Sequence, residues 1–165
     1  MLTIQSYKEE DWSEVWAIIE PVFRSGTTYA FSPEITEEET KKVWVEAPKS
    51  TYVCCDEDNN IIGTYYIKPN QPTLGSHVCN CGYIVDEKAR GQGVASAMCK
   101  HSQEEAVKLG FRAMQYNLVV STNEGAIRLW KKNDFKVVGV LPKSFNHNHL
   151  GFVDALVMYK QLATY

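Results

Sequence analysis

The stretch Tyr83-Ile84-Val85-Asp86-Glu87-Lys88-Ala89-Arg90-Gly91-Gln92-Gly93-Val94-Ala95-Ser96-Ala97-Met98 constrains this chain more than any other. Aromatic and β-branched residues deliver the backbone as a strand into a polar turn. The turn holds Gly91 and Gly93, and the small residues Ala95, Ser96 and Ala97 then open a helix. Small residues let a ligand approach the backbone closely. The first amides of a helix are unpaired donors at the positive end of its dipole. Together these features describe an anion cradle suited to a phosphate or pyrophosphate. It is not a Walker A loop, because G-x-x-x-x-G-K-[ST] is absent. A Rossmann fingerprint fits poorly: the third glycine position holds Ser96 and the motif sits in mid-chain.

The rest of the chain reads as alternating helices and strands. Leu2 and Ile4 alternate with polar residues as a first strand. Asp11-Trp12-Ser13-Glu14 has the form of a capping box, and apolar residues follow it at helical spacing to Phe23. Pro21 is expected to kink that helix or split it in two. Thr36-Glu37-Glu38-Glu39 is a second capping box, opening a helix to about Glu46, with Pro48 as its stop. Strands are expected at 51–55, 61–68, 76–85, 114–120, 135–140 and 152–160. Turn residues 56–60 make the first two a hairpin. Val94–Leu109 reads as a helix with Gly110 at its C′ position, and Asn123 caps a shorter helix to about Lys132. No repeat, linker or low-complexity tract interrupts 1–165, so one domain is expected, and the alternation alone gives α/β or α+β.

Charge and cysteine content exclude several classes. The net charge is −3 and the calculated pI about 5.8, with no basic footprint for nucleic acid. No run reaches the roughly 18 apolar residues of a membrane helix. The N-terminus lacks a basic region followed by an apolar one, so a cytoplasmic protein is expected. Cys54, Cys55, Cys79, Cys81 and Cys99 are odd in number and not spaced as a disulfide framework. His77, Cys79 and Cys81 share one strand face, but no second ligand pair appears and His147-Asn148-His149 is distant. The expectation is no metal.

Arg90-x-x-Gly93-x-Ala95 resembles the R/Q-x-x-G-x-G/A motif of the GCN5-related N-acetyltransferases, where this turn holds the pyrophosphate of acetyl-CoA. Val119 through Phe135 resembles the later motif of the same superfamily, a strand followed by N-x-x-A-x-x-h-Y-x-x-x-G-F. Trp130 stands at the tyrosine position and Asn133-Asp134 before Phe135. Gly63–Asn70, Ser76–Tyr83 and Asn117–Asn123 are similar to the fungal enzymes that acetylate L-azetidine-2-carboxylate and other proline-like imino acids, which also carry tryptophan at the Trp130 position. The chain lacks their long N-terminal extension.

The resemblance implies a central mixed, mostly antiparallel sheet with helices on both faces. It also implies a V-shaped split between the strands Val78–Val85 and Met114–Val120. The amides of Gly91, Gln92, Gly93, Val94, Ala95 and Ser96, with Arg90, would hold the pyrophosphate. The main chain of Tyr83, Ile84 and Val85 would pair with the pantetheine arm, and Asn123 and Trp130 would contact the cofactor near the thioester. Acetyl would pass directly to a small amine, and the oxyanion formed would be met by amide donors such as Asn117 and Asn123. Asn80, Asn117, Leu118 and Tyr29 are the substrate candidates. For Asn80 the plain alternative is a polar residue on an exposed strand face; for Asn117 it is a satisfied buried amide. No base or acid is selected among Glu34, Glu124, Asp154 and the histidines, and Trp130 has no titratable proton. Other acceptors (an aminoglycoside, a phosphinothricin-like amino acid, a protein amine) and a catalytically silent acyl-CoA sensor stay open. So does a homodimer with Phe152–Lys160 contributing.

Overall fold

The computed structural model describes all residues, Met1–Tyr165. The elements in order are β1 (Thr3–Ser6), α1 (Trp12–Ser25), α2 (Glu37–Lys41), β2 (Ser50–Cys55), β3 (Ile61–Pro69), β4 (Val78–Val85), α3 (Val94–Lys108), β5 (Ala113–Val120), α4 (Glu124–Lys132), β6 (Lys136–His147) and β7 (Gly151–Gln161). The strands form one sheet in the order β1-β2-β3-β4-β5-β7-β6. Every neighbouring pair is antiparallel except β4 and β5.

The period-two alternation of the strands builds two cores. Tyr65, Cys79, Met98, Met114, Tyr116, Trp130 and Met158 pack on one face, beneath α3 and α4. Val15, Ile19, Phe23, Trp44, Val53, Tyr66 and Ile84 pack on the other, beneath α1 and the segment around Trp44. Adjacent residues Tyr65 and Tyr66 thus serve opposite cores. Gly63 admits α3: a Cβ there would lie 2.9 Å from Val94 Cγ1 and 3.0 Å from Met98 Cε. That close approach fixes the start of α3 against β3.

The expected split is present. β4 and β5 pair only at Val78–Ala113 and Cys79–Met114, and then diverge. On β4 the odd-numbered residues turn their main chain towards β5, since the carbonyl of His77 accepts from the amide of Arg112. Beyond Cys79 that edge has no strand partner.

Three local expectations are corrected. Asp11 does not cap α1: its carboxylate accepts from the amide of Lys8 at 2.8 Å, closing a 3₁₀ turn, while Glu14 accepts from the amide of Ile61 at 3.3 Å. Of the two outcomes expected at Pro21, the split does not occur: the helix runs on to Gly26, whose φ of +61° is the left-handed stop. Proline removes one amide, and burial of Val15, Ile18, Ile19 and Phe23 holds the turns on either side. Finally, β6 extends to His147, past the expected 140. Pro142, Lys143 and Ser144 interrupt its apolar pattern, and Phe145 is the one buried residue beyond them. β7 lies between β5 and β6, which leaves β6 as the sheet edge. The box at Thr36 forms as expected, and the helix continues beyond α2 as a π turn over Lys42–Glu46.

One polar cluster on α3 makes stability depend on pH. Tyr65 Oη lies 2.6 Å from His101 Nδ1, and His101 Nε2 lies 3.9 Å from Glu105 Oε1. Burial outweighs the neighbouring carboxylates and holds the His101 pKa below its ordinary value. The phenol, itself pushed up by burial, shares this hydrogen bond with the neutral ring. A pKa lowered on folding adds stability that is present above the unfolded value near 6.5 and lost as pH falls below it. Urea midpoints should therefore fall between pH 7.5 and 5.5, and His101→Gln should flatten that part of the slope. An unchanged slope in the variant would rule out His101 as its source.

Candidate active site

The split opens into a cleft of about 1470 Å³ that runs from α1 and the loop after it, across β4 and β5, to the turn before α3 and to α4. One end is the glycine turn. Gly91 and Gly93 have φ of +77° and +81°, and a Cβ on either would meet nothing within 4 Å. Asp86 stiffens the approach by accepting from the amide of Lys88 at 2.9 Å. The amides of residues 91–96 donate to no group of the chain; the first to find an acceptor is that of Ala97, on Gly93. Six successive unpaired donors around an open hollow at the N-terminus of a fifteen-residue helix fit a pyrophosphate. Lys88, Arg90, Arg128 and Lys132 line this end, against Asp86 and Glu87.

The middle of the cleft exposes the unpartnered edge of β4. The hydroxyl of Tyr29 donates to the carbonyl of Tyr83 at 2.8 Å, so the loop after α1 reaches across to this edge. Trp130 is buried against the rings of Tyr83 and Tyr116, with centroids 5.1 and 4.9 Å away. Behind it the Tyr83 hydroxyl meets Ser102 Oγ at 2.6 Å and Tyr116 Oη at 3.0 Å. Asn123 caps α4 through Oδ1, which accepts from the amide of Ala126 at 3.3 Å; its Nδ2 has no partner in the chain.

The other end collects the substrate candidates Tyr29, Asn80, Asn117 and Leu118 on one cleft wall or another. Neither asparagine sits as its plain alternative would have it. Asn80 is 8% exposed; its Nδ2 donates to the carbonyl of Gln115 at 2.9 Å, bridging the strands where they part, and its Oδ1 lies 3.4 Å from Tyr66 Oη. Asn117 is exposed, turned out by an irregularity between Tyr116 and Val119, and bonds Asn70 Oδ1 at 2.6 Å and Gln115 Nε2 at 2.9 Å.

Two further residues, Gly82 and Asn148, shape the cleft without being among the candidates named from the sequence. Gly82 lies under the ring of Tyr66: a Cβ there would come within 2.6 Å of Tyr66 Cε1. A glycine inside a strand is the signal that could have found it. Asn148, at the β6–β7 tip, donates from its amide to the carbonyl of Gly26 at 3.0 Å and from Nδ2 to that of Ser25 at 3.2 Å. It fixes the base of the loop that carries Tyr29, and nothing local announces it. Glu34, Glu124, Asp154 and the histidines do not line the cleft. No three His, Cys, Asp or Glu side chains gather as a metal site, and no helix is long and apolar enough to cross a membrane.

Comparison with known proteins agrees with this geometry. The acetyltransferase (GNAT) family model matches residues 12–135. A GCN5-related N-acetyltransferase from Kribbella flavida superposes with a TM-score of 0.92 at 34% identity, over 97% of each chain. N-acetyltransferase aca1 of Schizosaccharomyces pombe is 28% identical over 91% of this chain and 79% of its own length. A phosphinothricin acetyltransferase from Sinorhizobium meliloti, solved in complex with AcCoA, shares the fold with a TM-score of 0.87 at 18% identity, over 98% of this chain and 89% of its own.

Proposed function

The chain belongs to the acetyltransferase (GNAT) family, and from that premise we propose that it transfers acetyl from acetyl-CoA to the amine of a small molecule, a proline-like imino acid. Acetyl-CoA supplies an activated acyl group as a thioester; the residues of the chain bind, orient and exclude water. The single observation that carries the donor assignment is the run of unpaired amides at 91–96 over an open hollow. The odd-numbered main chain of β4 offers the arm of the donor a strand edge, with the Tyr83 carbonyl already bonded by Tyr29. Asn123 Nδ2, at the mouth of α4, is a free donor for the acetyl oxygen.

The acceptor assignment rests on the acceptor half of the cleft together with the sequence resemblance to the imino-acid enzymes. That half is lined by Ile18, Val22, Phe31 and Tyr66, and its amides and hydroxyls can bind a carboxylate without an arginine. The test is thiol release from acetyl-CoA against azetidine-2-carboxylate, proline analogues, amino acids, polyamines and aminoglycosides. Turnover is expected on the imino acids. Asn80→Ala and Asn117→Ala should each lower kcat/KM for the acceptor by tenfold or more, about 1.4 kcal/mol, and leave CoA binding near that of the parent. Unchanged kinetics in both variants would remove the asparagines from the site, and turnover confined to polyamines or aminoglycosides would overturn the imino-acid reading.

A further inference from the structure

The ionised side chains of the cleft are all at one end. Asp86, Glu87, Lys88 and Arg90 lie on the turn before α3, and Arg128 and Lys132 on α4. From α1 the cleft receives only Ala17, Ile18, Pro21, Val22 and Ser25; Glu20 and Arg24 are turned to each other, and Arg24 also donates to the carbonyls of Pro33 and Ile35. The loop after α1 contributes one titratable group, Tyr29, and β3 one, Tyr66; β4 contributes Cys81 and Tyr83, and β5 Tyr116. Burial pushes each of these phenols, and the Cys81 thiol, above its ordinary range. At neutral pH every one is protonated. The acceptor half therefore holds no anion and no proton acceptor stronger than an amide or hydroxyl oxygen.

We propose that the acceptor amine enters this half of the cleft already uncharged, and that no side chain of the chain removes its proton. This rests on the transferase reading above. An ammonium group would leave water for a wall of neutral dipoles and apolar surface with no carboxylate to meet it, which disfavours the charged form. The uncharged amine needs no base to attack: its lone pair forms the N–C bond to the acetyl group as the C–S bond breaks. The surplus amine proton, carried by water, ends on the departing thiol, which balances the step. Specificity follows from the same charge map. Polycationic acceptors lose their counter-charges on entry, and a dianionic acid finds no guanidinium. A compact imino acid presents one carboxylate to neutral donors and one secondary amine to the donor end.

The test is kcat/KM against pH, at saturating acetyl-CoA, for azetidine-2-carboxylate and for a ring-fluorinated imino acid whose amine pKa is lower by about two units. In each case the rate should rise about tenfold per pH unit up to the amine pKa of that acceptor, so the two limbs are displaced by the difference between the amines. Glu34→Gln, Glu124→Gln and His149→Gln should each stay within about twofold of the parent, where loss of a general base costs roughly 10²–10⁴-fold. A limb at one pH for both acceptors, or a hundredfold loss in any of the three variants, would overturn the proposal and leave the transferase standing. Binding of CoA with no thiol release on any amine up to pH 9.5 would overturn both.

Discussion

Replacing Gly93 by valine should weaken CoA binding at least a hundredfold, about 2.7 kcal/mol, with the fold retained. Two costs combine. Gly93 has φ +81°, and a β-branched residue is strained there by roughly 1–2 kcal/mol. The larger cost is steric: a branched side chain would fill the open space at Gly93, next to the unpaired amides of 91–96, where the proposed pyrophosphate would sit. Gly110 separates the two. It follows α3 with φ +91° and equally open surroundings, but lies at the far end of that helix from the turn. Gly110→Val should lower the melting temperature by a comparable amount and leave calorimetric CoA binding intact. Binding retained within threefold in Gly93→Val would show that the turn is not the phosphate cradle.

Trp44→Ala should have the largest effect on stability, about 3–5 kcal/mol. The ring is fully buried, meets Tyr66 edge-on at 4.8 Å and Tyr29 at 5.9 Å, and donates from Nε1 to Thr64 Oγ1 at 3.1 Å. Truncation leaves a cavity beneath both tyrosines and removes one of the two hydrogen bonds of the Thr64 hydroxyl, which keeps its bond to the carbonyl of Tyr52 at 2.9 Å. For a chain of this size the loss corresponds to a fall of roughly 6–20 °C in Tm. Acceptor KM should rise with it, because Tyr29 and Tyr66 lose their support, whereas CoA affinity should change little, since the cradle is held by the opposite core through Gly63, Val94 and Met98. A Tm shift under about 2 °C would show that the ring does not anchor this core.

These two sites differ in how far the sequence reveals them. The cradle is contiguous: strand, turn, glycines and helix start follow one another within 83–96, and each has a local chemical signature. The box at Thr36 and the cap at Asn123 were legible for the same reason, since a cap is a contract between residues three apart. The acceptor half has no such grammar. It is assembled from α1, β3, β4, β5 and the β6–β7 tip, and its geometry rests on pairings such as Tyr66 over Gly82. Asn80 and Asn117 are named by resemblance alone, and their burial depends on what stands over each where the strands part. There Asn80 is covered by Tyr66, and the irregularity after Tyr116 turns Asn117 outward. At Pro21 tertiary burial keeps the helix in one piece, and the outer half of β6 is hidden in the sequence by Pro142 and the polar residues Lys143 and Ser144.

The bond from Asn148 to Ser25 joins residues 123 positions apart. Closing so long a loop costs entropy before the contact repays it, and such contacts set the slow part of a folding reaction. The glycine turn is contiguous in the chain and seated on β3 through Gly63, whereas the loop that carries Tyr29 is tied at its base to the β6–β7 tip. The two ends of the cleft thus hang on different parts of the chain: the Tyr29 loop leans on the last hairpin, and no bond joins that hairpin to the glycine turn.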